Sequence, residues 1–193
     1  MNRTSVIITT YNGEKYVYSL LHSILTQSLR PDEVLIFDDC SSDSTPIIVN
    51  EFITSRKLEW KFYINPTNLG WRKNYIQGFQ RATGDLIFPC DQDDVWKREK
   101  VEYMVSVMEM HQDINLLMTD FKKATNLDID NMLRSDEMIE SSKLAGPTKI
   151  PLKKIDTFSR PGCAFCFRKD FFSRIQPFWG ETFCTMPGLG NVQ

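Results

Sequence analysis

Leu86-Ile87-Phe88-Pro89-Cys90-Asp91-Gln92-Asp93-Asp94-Val95-Trp96 is an apolar run that stops abruptly at three carboxylates in four positions. The run Leu86 to Phe88 is short, apolar, partly β-branched and entered through a Thr83-Gly84-Asp85 turn, so it reads as a buried strand with acids at its C-terminal end. Neighbouring like charges repel by about 4 kcal/mol per pair at an effective dielectric near 20, and side chains aimed at one spot therefore need a counter-charge. A divalent cation would supply it. In an extended D-x-D, residues two apart project to the same side, which lets Asp91 and Asp93 face a common ligand while Gln92 points away. The competing structural reading is a solvated acidic turn in which Asp94 caps a helix beginning near Trp96.

Working outward, strand-like and helix-like stretches alternate. Ser5 to Thr10 is a nearly continuous β-branched run, expected of a strand covered on both faces, and Tyr11-Asn12-Gly13 closes it with turn chemistry. Over 15–27, Val17, Leu20, Leu21 and Ile24 recur at i, i+3, i+4 and i+7, an amphipathic helix ended by Arg30-Pro31. Val34 to Phe37 is a second buried strand running into Asp38 and Asp39. Ser44 or Thr45 as N-cap with Pro46 starts the next helix. Trp60 to Ile64 is a third strand, Trp71, Tyr75, Phe79 and Ala82 mark a helix, and Val101, Met104, Val105 and Met108 mark another. Ile114 to Asp120 reads as a fifth strand, and Ala164 to Phe167 as a sixth. Such alternation with short connections predicts an α/β fold, a Rossmann-like, mostly parallel sheet with helices on both faces and right-handed crossovers.

In such sheets ligands bind outside the carboxyl ends of the strands. Three loops place polar groups there: 9–12, 38–42 and 91–94. Neither G-x-G-x-x-G nor G-x-x-x-x-G-K-[ST] follows the first strand, which disfavours the dinucleotide and P-loop folds.

Composition narrows the classes. A chain of 193 residues suits one sizeable core, and a net charge of −2 gives no basic field, so nucleic acid is not an expected partner. With no apolar run of roughly 20 residues and no signal-peptide core, the expectation is a cytoplasmic protein without a transmembrane segment. Five scattered cysteines suit reduced core thiols, and Cys163-Ala-Phe-Cys166 has no companion ligand pair for zinc. His22 and His111 read as structural.

The blocks Ser5 to Asn12, Asp38-Asp39-x-Ser-x-Asp-Ser-Thr45, Asn68-x-Gly70 with Asn74, Ala82-Thr-Gly-Asp85 and Asp91-Gln-Asp-Asp-Val-Trp96 resemble, in order and spacing, the successive blocks of the family 2 glycosyltransferases of the GT-A fold. The last block is similar to bacterial, rhamnosyltransferase-like enzymes of cell-surface polysaccharide or O-antigen synthesis. The resemblance covers roughly the first 120 residues and is far more specific than any one short motif. It implies a nucleoside-diphosphate sugar donor, a UDP- or dTDP-sugar, and an inverting transfer to a saccharide or lipid-linked saccharide acceptor. It further implies that Asp39 accepts from the imide N–H of the base while Thr9 and Tyr11 lie against that base. Asp91 is then expected near the ribose or the metal shell, and Asp93 as direct ligand of Mg or Mn. The resemblance implies that residues 1–120 are the nucleotide-sugar-binding half and 121–193 an incomplete acceptor-side segment of the same domain. The tail 185–193 has no helical or strand periodicity and reads as a truncated or altered end, and Glu181 is the acid standing where the general base is expected. Lipid-linked acceptors would be compatible with peripheral association at the inner face of the cytoplasmic membrane. Two alternatives remain at this point: a catalytically inactive nucleotide-sugar-binding remnant, and a haloacid-dehalogenase-like phosphatase with Asp91 as nucleophile.

Overall fold

The structure is a computed structural model and describes residues 2–123, 147–148 and 164–176. The elements are β1 (Thr4–Thr10), α1 (Val17–Leu25), β2 (Glu33–Asp38), α2 (Thr45–Ser55), β3 (Lys61–Ile64), α3 (Trp71–Arg81), β4 (Leu86–Asp91), α4 (Lys100–Met110), β5 (Leu116–Met118), β6 (Phe165–Arg168) and α5 (Lys169–Ile175). They build a six-stranded sheet in the order β3-β2-β1-β4-β6-β5. β1 pairs in parallel with β2 and β4, and β2 with β3; β6 runs antiparallel between β4 and β5. A strand from beyond residue 160 therefore stands in the middle of the sheet's second half and connects β5 to β4.

The two-residue alternation of the strands sorts the core into two layers. Val6, Ile8, Val34, Ile36, Leu86 and Phe88 pack against α1, α2 and α4, whose buried side chains include Leu20, Phe52 and Met104. Ile7, Leu35, Phe37 and Ile87 point the other way, onto Tyr75 and Phe79 of α3 and Phe172 of α5. All seven residues of β1 are buried, as a strand covered on both faces requires. The approach of α3 is close: a Cβ on Gly78 would lie 2.2 Å from Ile7 Cγ2 and 3.2 Å from Phe37 Cε2.

The ends of α1 and β4 differ from the sequence reading, and local hydrogen bonds account for where the helices start and stop. α1 stops at Leu25, before Arg30-Pro31, because Thr26 Oγ1 donates to His22 O (2.9 Å) and Gln27 Nε2 donates to Ser23 O (3.0 Å) and Lys97 O (2.9 Å). α4 begins at Lys100, not near Trp96; Gln27 Oε1 accepts from Val101 N (3.1 Å), so one buried glutamine joins the end of α1 to the start of α4. α2 has Ser44 at its N-cap without a side-chain bond, and Asp43 takes over the task, its Oδ1 accepting from Thr45 N (2.9 Å) and Thr45 Oγ1 (2.6 Å). β4 also runs on past Phe88 through Pro89 to Asp91. β6 pairs only with Leu86 and Ile87, so Pro89 sits where that flank of the ladder has ended.

Cys166 is buried on β6, and burial pushes its thiol far above the ordinary range, as suits a core residue without redox duty. Cys163, its partner in C-x-x-C, lies outside the described residues.

Candidate active site

β1, β2 and β4 end together, and their register fixes which residues meet. Thr9 stands opposite Phe37 on one side and Asp91 on the other, and Thr10 opposite Asp38. The carboxylates of the two acidic loops are thus brought to one end of the sheet by strand pairing alone.

The β2 loop is held from within. Asp38 is fully buried; its Oδ2 accepts from Thr10 Oγ1 (2.7 Å) and Ser41 Oγ (2.6 Å), and its Oδ1 from Ser41 N (2.8 Å). Asp39, 3% exposed, accepts from Asn65 Nδ2 (2.9 Å) and Leu69 N (2.8 Å) at Oδ1 and from Gly70 N (2.8 Å) at Oδ2. Asn65 Nδ2 donates as well to Asn74 Oδ1 (2.9 Å), and Asn74 Nδ2 to Phe37 O (2.9 Å). Asp39 therefore organises the loop between β3 and α3. Three of the roughly four acceptor directions of a carboxylate are taken there, and one remains.

On β4, Asp91 is partly buried and Asp93 is exposed. Tyr75 Oη, from α3, donates to Asp91 Oδ1 at 2.6 Å. Burial pushes the Asp91 carboxyl above its usual range; the Tyr75 hydrogen bond opposes this, and the negative charge of Asp93 adds to the rise. Tyr75 is itself 8% exposed, and burial together with the Asp91 charge holds its phenol well above the ordinary value, so it remains a donor. Asp94 does not cap a helix at Trp96. It folds back on the strand end instead: Oδ2 accepts from Asp91 N (3.1 Å) and Asp94 N donates to Asp91 O (3.2 Å). The D-x-D is not extended as the sequence reading had it: β4 ends at Asp91, Gln92 and Asp93 form a turn closed by that Asp94 N bond, and Gln92 bonds the backbone of Tyr11, a residue 48% exposed.

Among the described residues no three His, Cys, Asp or Glu side chains gather as a metal-holding group. The protein donors for a cation would be the Asp91–Asp93 pair, two hard oxygen ligands of which the more buried is raised toward protonation partly by its neighbour's charge. That donor set fits Mg or Mn, which keep several waters and take further oxygens from a bound phosphate group. Glu181 lies outside the described residues. Sequence periodicity assigns Tyr75 to the core and gives Gln92 no role beyond pointing away; the structure adds both to the site, with Asn65 and Asn74. A fully apolar partner set would not need an asparagine at 74 on the buried side of α3, and that polar interruption is the sequence signal for it.

The parallel strands with one antiparallel insertion, and the acids at their carboxyl ends, define the GT-A type of α/β fold. The profile of glycosyl transferase family 2 matches residues 5–176, and the chain belongs to that family. A protein of Nostoc sp. (strain PCC 7120) described as an uncharacterized glycosyltransferase is 29% identical over 168 residues, which are 86% of this chain and 48% of the relative. The poly(ribitol-phosphate) beta-N-acetylglucosaminyltransferase TarS of Staphylococcus aureus is 34% identical over 121 residues, 61% of this chain and 21% of TarS. The crystal structure of S. aureus TarS 1–349 in complex with UDP superposes with a TM-score of 0.70 at 25% identity, covering 90% of this chain and 49% of that one. A mannosyltransferase of Pyrobaculum calidifontis, solved with GDP-Man and Mn2+, shares the fold at a TM-score of 0.64 and 18% identity. The chain thus spans about half or less of the length of these relatives. Family membership displaces the phosphatase alternative, and Asp91 stands at the end of the fourth strand, with one oxygen already accepting from Tyr75, and not at the end of the first.

Proposed function

We propose that the chain carries the donor half of a glycosyltransferase that moves a sugar from a UDP- or dTDP-sugar to a saccharide hydroxyl during cell-surface polysaccharide synthesis. The observation that carries the reading is the pairing of Thr9 with Asp91 at the carboxyl end of the sheet, with Asp93 close enough in the turn that follows for its charge to act on Asp91, in a member of family 2. The base lies between Thr9 and Tyr11 on one side and Asp39 on the other. The remaining acceptor direction of Asp39 takes the imide N–H of uracil or thymine, a bond strengthened by the carboxylate's charge. Tyr11 offers its half-exposed ring to the base. UDP in the TarS complex supports a pyrimidine donor.

Asp93, exposed beyond the strand end, and Asp91, held by Tyr75, would hold Mg or Mn. When bound, such a cation neutralises the charge that builds on the departing diphosphate. Asp91 would offer Oδ2 before Oδ1, since Oδ1 already accepts from Tyr75. In an inverting transfer a carboxylate base removes the acceptor proton as the hydroxyl attacks the anomeric carbon in line; Glu181 is the acid proposed for it. The name of TarS, a poly(ribitol-phosphate) beta-N-acetylglucosaminyltransferase, supports a hydroxyl-bearing polymer as the class of acceptor. The reading puts the acceptor, a saccharide or lipid-linked saccharide, in the cytoplasm or at the inner face of the cytoplasmic membrane, where a nucleoside-diphosphate sugar would be used. No helix among the described residues is long and apolar enough to cross a membrane.

A thermal-shift panel tests the reading. A ligand at about 100 times its Kd adds about 2.7 kcal/mol, or about 5–10 °C for a domain of this size. UDP- or dTDP-sugars with Mn should raise the melting temperature on that scale, and adenine or guanine nucleotides should not. A melting temperature that no pyrimidine nucleotide moves would contradict the proposal.

A further inference from the structure

Gln92 joins the acidic turn to the loop after β1. Tyr11 N donates to Gln92 Oε1 at 2.7 Å, and Gln92 Nε2 donates to Tyr11 O at 2.9 Å. One side-chain amide thus grips both polar groups of one backbone residue. Glutamate lacks the donor for Tyr11 O, and asparagine is shorter by a methylene, so the grip depends on glutamine.

The rest of that loop is fixed from the β2 side. Asn12 N donates to Ser41 Oγ (2.9 Å), Gly13 N to Thr45 Oγ1 (2.8 Å) and Glu14 N to Asp43 Oδ2 (3.0 Å). Asn12 takes a left-handed φ of 48°, a conformation asparagine tolerates. Gly13 leaves the room that the end of Gln92 occupies: a Cβ there would lie 2.3 Å from Gln92 Oε1 and 2.5 Å from Gln92 Cδ, so a side chain at position 13 would displace the Gln92 amide. Gln92 and Gly13 are fitted to each other.

We propose that Gln92 is a positioning residue for the nucleobase end of the donor site: its amide sets the Tyr11 backbone, so that the base-side loop and the Asp91–Asp93 turn form one rigid unit. Gln92 itself faces away from the carboxylates' ligand and acts through Tyr11. The inference rests on the pyrimidine-nucleotide reading of the site.

The test measures the affinity of the folded chain for UMP without metal and for UDP with Mn, for wild type, Gln92→Ala, Gly13→Ala and the double variant. Losing the two-bond grip should weaken UMP and UDP alike, by roughly tenfold each, because the defect lies on the base side. Gly13→Ala should do the same by pushing Gln92 aside. In the double variant the clash has no partner, so affinity should equal that of Gln92→Ala alone, whereas independent effects would multiply to roughly hundredfold. Should Gly13→Ala fail to fold, Gly13→Ala/Gln92→Ala should recover the fold, a rescue that a purely local glycine requirement would not produce. UMP and UDP affinities in Gln92→Ala equal to wild type, a loss confined to metal-dependent UDP binding, or a multiplicative double variant would each overturn this inference while leaving the donor site standing. Wild-type protein that binds neither nucleotide overturns the donor reading and this inference with it.

Discussion

The hydroxyl of Tyr75, on α3, lies 2.6 Å from Oδ1 of Asp91 at the end of β4, so a helix from one face of the sheet holds a carboxylate of the acidic turn. Its ring stacks on Phe79 with centroids 5.4 Å apart, which fixes the donor's position independently of the bond. Tyr75→Phe keeps the ring and removes the donor. A hydrogen bond to a charged group contributes about 1.5–3 kcal/mol, so metal-dependent UDP affinity should fall at least roughly tenfold. Titration calorimetry on the two proteins checks this, and equal affinities would show that Tyr75 serves packing alone.

Asp39 and Asp93 should separate structure from binding. Asp39→Ala leaves Leu69 N without its acceptor and takes one of two acceptors each from the Asn65 amide and Gly70 N, which keep Asn74 Oδ1 and Asn68 Oδ1, at an expected cost of about 1–3 kcal/mol. Asp93→Ala removes an exposed charge that disfavours ionised Asp91, so stability should stay within about 0.5 kcal/mol of wild type or rise slightly. Urea midpoints would reveal the contrast; comparable losses in both would refute it.

Asp43 predicts an acid limb. Burial opposes its charge, but the Thr45 hydroxyl and N–H and the Glu14 N–H outweigh this and hold its carboxyl below the usual range. A group whose folded pKa is depressed stabilises the fold above its unfolded value, about 3.9 for Asp, and loses that contribution as pH falls through the folded value. The stability gap between wild type and Asp43→Asn should therefore be constant above about pH 5 and narrow below about pH 4. A gap that widens in acid would contradict the assignment.

Gly78→Ala tests how tightly α3 seats on β1. The added Cβ meets Ile7 Cγ2 at 2.2 Å, and overpacking of this kind costs about 1–3 kcal/mol, against the small gain in helix propensity of alanine over glycine. The melting temperature should drop by about 2–10 °C for a domain of this size. An unchanged or raised value would mean that the interface yields.

Local periodicity made β1, β2, α2 and α3 legible, because each buries one stripe or both faces and says so in its spacing. The acidic turn was legible because three carboxylates crowded at the end of a buried strand repel one another and call for a counter-charge. Strand order was not: nothing within Phe165 to Arg168 tells that it inserts antiparallel between β4 and β5, since pairing across such a separation is not a local property. Tyr75 and Gln92 were hidden for a related reason. Tyrosine fits an apolar stripe whether or not its hydroxyl has a partner, and the partner of Gln92 is 81 positions away. Asp94 followed the more frequent use of an acid before a helix in the sequence reading, and in the structure the short return to Asp91 N won.

The central claim is that Asp91 and Asp93 form the cation-dependent end of a pyrimidine-nucleotide site. Titration calorimetry of UDP and dTDP into wild type and Asp93→Ala, with and without Mn, measures it directly. The account predicts binding to wild type that Mn strengthens and that Asp93→Ala reduces to its metal-free level. Folded wild-type protein that binds neither nucleotide, or binding indifferent to both Mn and Asp93, would contradict it.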